Sequence, residues 1–178
     1  MATPPDFSPG QVLTAAHMDA VGLWLVKTQA VGSGVASVTV TGAFSADYDN
    51  YRITWSGGTL SSNQVMLFQL SGSTVNYYTS WAGAFYTGAA ITTGLGFNNT
   101  SSWGAGGGDA TTAAVNIDVL GPYLTKATNM RFSGDFVDAT ISGAGRHTPA
   151  SSFTGFVLFG AGGATMTGGT IRVYGYRN

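Results

Sequence analysis

From Trp24 onward, apolar and polar positions alternate with a period of two. Val38 and Val40 alternate with Ser37, Thr39 and Thr41, and Tyr51, Ile53 and Trp55 alternate with Arg52 and Thr54. Successive side chains of an extended chain point to opposite faces, so this pattern predicts half-buried β-strands. Further strand candidates cover residues 64–70, 75–81, 113–120, 130–137, 153–159 and 170–177. In the first three of these, apolar residues fall on both faces at some points, which predicts burial on both sides or a subunit contact.

Turn chemistry separates the runs: Gly32, Ser33 and Gly34; Ser56, Gly57 and Gly58; Ser71, Gly72 and Ser73; Gly121 and Pro122; residues 160–163; Gly168 and Gly169. Eight to ten short strands with Gly-rich turns point to an all-β, antiparallel β-sandwich of jelly-roll type. No fixed-period repeat is present, which argues against a β-helix or propeller. Residues 98–110 and 142–152 read as two long loops, a length uncommon in compact domains unless the loop has a task. Within the first, Gly104 to Gly108 lacks a following Lys-Ser/Thr pair and a helix, so it reads as a flexible loop tip rather than a phosphate cradle.

Before Trp24 the pattern differs. Pro4, Pro5 and Pro9 make the first ten residues an extended leader. Thr14 as N-cap and Gly22 as a left-handed terminator bracket a short helix on which Leu13, His17, Ala20 and Trp24 share one side. A helix of about eight residues is marginal alone. It needs a surface, either its own β domain, other copies of itself or a larger assembly. The chain thus divides into an anchoring or oligomerisation segment, 1–23, and a β domain, 24–178. The apolar run at 20–26 falls far short of the roughly 20 residues that span a bilayer, so neither a signal peptide nor membrane insertion is expected.

Composition sharpens the functional class. Of 178 residues only seven are Lys or Arg and eight Asp or Glu, 8% in all against about 25% in ordinary soluble domains. Glutamate is absent and glycine numbers 27, so the residues that decorate exposed helices are missing. Arg52, Arg131, Arg146, Arg172 and Arg177 are scattered in sequence, which gives no basic stripe for nucleic acid. The lack of cysteine excludes disulfides and thiolate metal sites.

Catalytic chemistry has few candidates. The two histidines are His17 in the helix and His147 in a loop, every carboxylate side chain is an aspartate, and no nucleophile elbow or nucleotide loop occurs. Asp135 and Asp138 fall on opposite faces of one strand, which leaves no glycosidase pair there. Asp47, Asp49 and Asn50 offer oxygen ligands without EF-hand spacing and read better as a turn; Asp118 reads as solvent-facing. No catalytic residue, cofactor or metal is therefore expected. Aromatic residues crowd into one region, and exposed rings stack on sugars or anchor interfaces. Tyr77, Tyr78, Trp81, Tyr86 and Trp103, with Arg146, are the candidates for contact with a glycan or partner, Trp103 and the Asn98, Asn99 stretch first.

Three segments carry a resemblance. The stretch Phe7, Pro9, Gly10, Gln11, Val12, Leu13, Thr14, Ala15, Ala16, His17 is similar to the N-terminal segment of many bacteriophage virion proteins, where a short helix precedes a β-rich domain. Tyr48, Asp49, Asn50, Tyr51 leading into Arg52 and Ile53, and the closing Thr170, Ile171, Arg172, Val173, Tyr174, Gly175, Tyr176, resemble phage fibre and decoration domains. The resemblance implies a non-enzymatic virion component, commonly a homotrimer, made in the bacterial cytoplasm and exposed on the particle. Phe7, Val12, Leu13, Ala16, His17, Ala20 and Trp24 would form its anchor to head or tail proteins, and the β domain would face outward toward a host glycan. The alternative is a monomeric carbohydrate-binding module whose Tyr-Trp cluster lines a shallow groove.

Overall fold

The computed structural model describes residues 9, 10, 12, 14, 22–86, 91–92, 96–136 and 139–176. Among them the chain forms thirteen strands: β1 (Trp24–Ala30), β2 (Ser37–Val40), β3 (Asn50–Leu60), β4 (Gln64–Leu70), β5 (Tyr77–Phe85), β6 (Ile91–Thr92), β7 (Gly96–Thr100), β8 (Trp103–Gly108), β9 (Ala113–Leu120), β10 (Lys126–Phe136), β11 (Ala139–Ser151), β12 (Phe156–Gly160) and β13 (Met166–Tyr176). All belong to one antiparallel sheet. The all-β, antiparallel expectation holds. The helix expected between Thr14 and Gly22 lies outside the described residues.

The sheet branches at β9. One edge of β9 pairs with β3, which continues to β13 and β1. Its other edge pairs with β10 through residues 116–120 and with β8 through Ala113 and Ala114. Beyond β10 lie β11 and β5, with β6 and β7 both on β5; beyond β8 lie β4, β12 and β2. Buried side chains of both branches form one hydrophobic cluster, Phe68, Leu70, Phe156 and Leu158 on one side, Ile53, Ile117, Phe132 and Val173 on the other. Phe68 stacks on Phe156 at 4.8 Å and on Trp103 at 6.0 Å. Each such large side chain contributes about 1.5–3 kcal/mol on burial.

The strand candidates 64–70 and 113–120 coincide with β4 and β9. Two expectations are corrected. Residues 98–110 hold β8 and part of β7, and 142–152 hold most of β11. Every residue of β8 is buried, so Gly104 to Gly108 is an interior strand rather than a loop tip. In β11 the inward positions Gly143 and Gly145 lack side chains because neighbouring aromatics occupy their space. A Cβ on Gly143 would lie 2.6 Å from the Phe132 ring, and one on Gly145 2.7 Å from the Trp103 indole.

The supposed turns at Ser56 to Gly58 and at Gly168, Gly169 lie within paired strands, facing each other across β3 and β13. Gly57, Gly168 and Gly169 adopt φ of +75°, +70° and +78°. That left-handed backbone and the missing Cβ atoms seat Trp55, whose Nε1 donates to the Gly168 carbonyl at 3.2 Å. A Cβ on Gly58 would overlap the Trp55 ring.

Candidate functional site

Register across six neighbouring strands sets which side chains share a face. The inward row runs Val173, Ile53, Ile117, Phe132, Gly143, Trp81 over β13, β3, β9, β10, β11 and β5. One residue away along each strand the side chains turn outward. These outward rows are Arg172, Thr54, Asn116, Ser133, Ser142, Ala82; then Tyr174, Arg52, Asp118, Arg131, Ala144, Ser80; then Tyr176, Asn50, Leu120, Asn129, Arg146, Tyr78. Four of the five arginines thus stand on one face, although the sequence scatters them.

Within the middle row Arg52 grips Asp118 with both arms of its fork, Nε to Oδ1 at 2.8 Å and Nη2 to Oδ2 at 2.9 Å. That hydrogen bond holds the guanidinium above its ordinary pKa, against the opposing effect of burial. Asp118 stands on the outward face, as its alternation implied, but is half-buried there and paired with Arg52. Arg131 is the cross-strand neighbour of Asp118 on the opposite side, is exposed, and forms no ion pair among the described residues. The Tyr176 phenol is pushed up by burial and by the Asp118 carboxylate, and pulled down by Arg131 and Arg52.

Several hollows open on this face, and two of them lie along the row from Tyr176 to Tyr78. The larger, about 630 Å³, lies over the ends of β3, β9, β10 and β13 and is lined by Asn50, Asn129, Arg131, Lys126 and Tyr176, with Asp49 and Leu124. The smaller, about 400 Å³, lies over β5, β7 and β11 and is lined by Tyr78, Ser80, Phe97, Ala144 and Arg146. Asn129 of the first and Arg146 of the second are cross-strand partners, so the hollows adjoin.

The structure divides the aromatic candidates. Tyr78 and Arg146 are cross-strand partners on the outward face. Tyr86 is exposed, and its hydroxyl donates to Asp135 at 2.8 Å. Trp81 faces inward and is half-buried against the core. Tyr77 and Trp103 are fully buried, which removes both as surface contacts. Tyr77 accepts from the Leu70 N–H at 2.9 Å, donates to the Ser73 carbonyl at 3.1 Å, and meets Trp103 edge-on at 5.1 Å. The Trp103 ring fills the space over Gly145 of β11 and the Tyr77 ring packs on His147 of the same strand, roles that isolated sequence windows do not reveal.

His147 belongs to β11, not to a loop, and is fully buried among Tyr77, Trp103 and Phe153. Its Nε2 bonds the Ser73 hydroxyl at 2.7 Å. Burial pushes the imidazole pKa down, partly offset by the backbone of Val75. Of the anchor candidates, Phe7, Leu13, Ala16, His17 and Ala20 lie outside the described residues; Val12 is 81% exposed and Trp24, half-buried, opens β1. Among the described residues no three His, Cys, Asp or Glu side chains are gathered to hold a metal.

No family model matches the chain, and no curated protein or solved structure matches it. The site must be read from its own chemistry. Arg131, Asn129, Lys126 and Tyr176 were not singled out by sequence. For Arg131 and Tyr176 the signal is the outward half of the alternation in 130–137 and 170–177, which becomes a site only once strand order is known; Lys126 and Asn129 precede that run and carry no such signal.

Proposed function

We propose that the chain is a non-enzymatic structural component of a bacteriophage virion, a fibre, spike or decoration protein, held on the particle by residues 1–23 and presenting its β domain outward. The observation that carries this reading is the junction between the two parts. β1 pairs only with β13 among the described residues, and it begins beside Leu23 and Leu25, which are 48% and 57% exposed. Apolar side chains left uncovered where a leader enters an edge strand favour burial against another chain. In this reading the two branches of the sheet form the faces of a jelly-roll-like sandwich. Three copies then associate through the leader and the adjoining edge, and the outward arginine face meets the host surface. Removal of residues 1–23 should abolish incorporation into particles while leaving the β domain folded by circular dichroism. Retained incorporation would overturn the anchor.

One observation favours a second reading, a carbohydrate-binding module: the Tyr78, Phe97 and Arg146 groove joins aromatic surface to a cation on a rigid sheet. In that case the truncated chain keeps its sugar binding and the full chain is a monomer.

A further inference from the structure

We infer that the outward face of β13, β3, β9, β10, β11 and β5 is a binding track for a carboxylate-bearing oligosaccharide, with Arg131 and Arg146 as its two anion anchors and Tyr176 and Tyr78 as its terminal stacking platforms. This deepens the host-contact part of the virion reading, and its ligand chemistry comes from a site distinct from the buried Tyr77 and Trp103.

The arrangement of charges points to an external carboxylate. Asp118 stands between Arg52 and Arg131 in the cross-strand row, and Arg52 occupies both of its oxygens. Arg131 is left as an exposed planar fork beside a satisfied ion pair, facing the larger hollow. Such a fork matches a carboxylate in a bidentate manner. The carboxylates on this face are Asp118, already committed to Arg52, Asp135, which lies four residues along β10 from Arg131 and accepts from the Tyr86 hydroxyl, and Asp49, which lines the larger hollow with Lys126. Arg146, also exposed, stands over the smaller hollow beside Tyr78.

The polar lining suits sugars. Asn129 brings an exposed amide to the larger hollow, where Tyr176 contributes a ring and a hydroxyl. The row from Tyr176 to Tyr78 crosses six strands, about 24 Å at the usual strand spacing, which is room for several linked rings. Sheet-borne side chains hold these groups on a rigid support. A nucleic acid fits less well, because tight phosphate binding draws on roughly six to ten cationic contacts, whereas the track offers Arg131, Arg146 and Lys126 within a chain of net charge −1.

The test is titration calorimetry of the full-length protein with sialyllactose, tetragalacturonate and a hyaluronan tetramer. Each is compared with its methyl ester, and a thymidine oligonucleotide is titrated alongside. At least one acid should bind, with its ester about tenfold weaker, the loss of one charge-assisted pair. Arg131→Ala and Arg146→Ala should each weaken binding by about tenfold, with thermal midpoints unchanged because both side chains are exposed. Arg172→Ala removes the same charge from the same face, one row beyond Arg131 and outside both hollows, and should leave affinity unchanged. Failure of all three acids to bind, equal binding of the esters, equal loss on Arg172→Ala, or tighter binding of the oligonucleotide would each overturn the track. None of these results bears on particle incorporation, so the anchor reading stands or falls separately.

Discussion

His147 is a titratable side chain closed inside the interior. Its neutral ring is enclosed by Tyr77, Trp103 and Phe153, and Ser73 takes one nitrogen. Because burial lowers its pKa below the ordinary 6.5, the unfolded chain binds the proton first as pH falls. Its stabilising effect is complete above about 6.5 and is lost progressively below it. The thermal midpoint should fall between pH 7 and pH 5, and His147→Phe should flatten that slope; an unchanged slope in the variant would show that another group titrates there. Asp109 follows the same sign in a lower window. Hydrogen bonds from Thr111 and Thr112 hold its carboxyl below 3.8, so its effect is lost only as pH falls below about that value. Glycine shows why residue-scale reading misled. Gly169 reads as a turn, yet a Cβ there would lie 2.7 Å from Trp55 Nε1 on a backbone of φ +78°. Gly169→Ala should cost about 2–4 kcal/mol by urea denaturation. Gly163→Ala, equally left-handed but in open space, should cost about 1 kcal/mol.

At the scale of elements, legibility followed what fills the inward face. In β4 and β9 the apolar side chains belong to the strand itself, so periodicity marks them residue by residue. In β8 and β11 the inward positions are largely glycine and alanine, and rings from other strands occupy the space. Local sequence then carries turn signals where the chain is extended. The strand assignment of 103–108 is directly measurable. Its backbone pairs with β4 and touches β9, so its amides should exchange as slowly as those of 115–119. Loop-like exchange within 103–108 would contradict the junction between the two branches.

At the scale of the molecule, composition was enough for the all-β class: few charges, no glutamate and abundant glycine leave little from which to build helices. Strand order was not legible, because pairing partners lie far apart in sequence. β3 meets β9 and β13, and β1 closes against the last strand. Only that order turns dispersed arginines into one face and separates Tyr78 and Arg146 from the buried Tyr77 and Trp103. It also sets Gly22 and Leu23, just ahead of β1, beside that face, where they border a hollow shared with Arg52, Asp118 and Arg131. The most direct test of the virion account is to band particles in a density gradient from cells that express the chain during infection, and to quantify it by mass spectrometry. The account predicts that the full chain comigrates with particles at a fixed copy number and that the chain lacking residues 1–23 stays at the top. A full chain that never leaves the soluble fraction would contradict it.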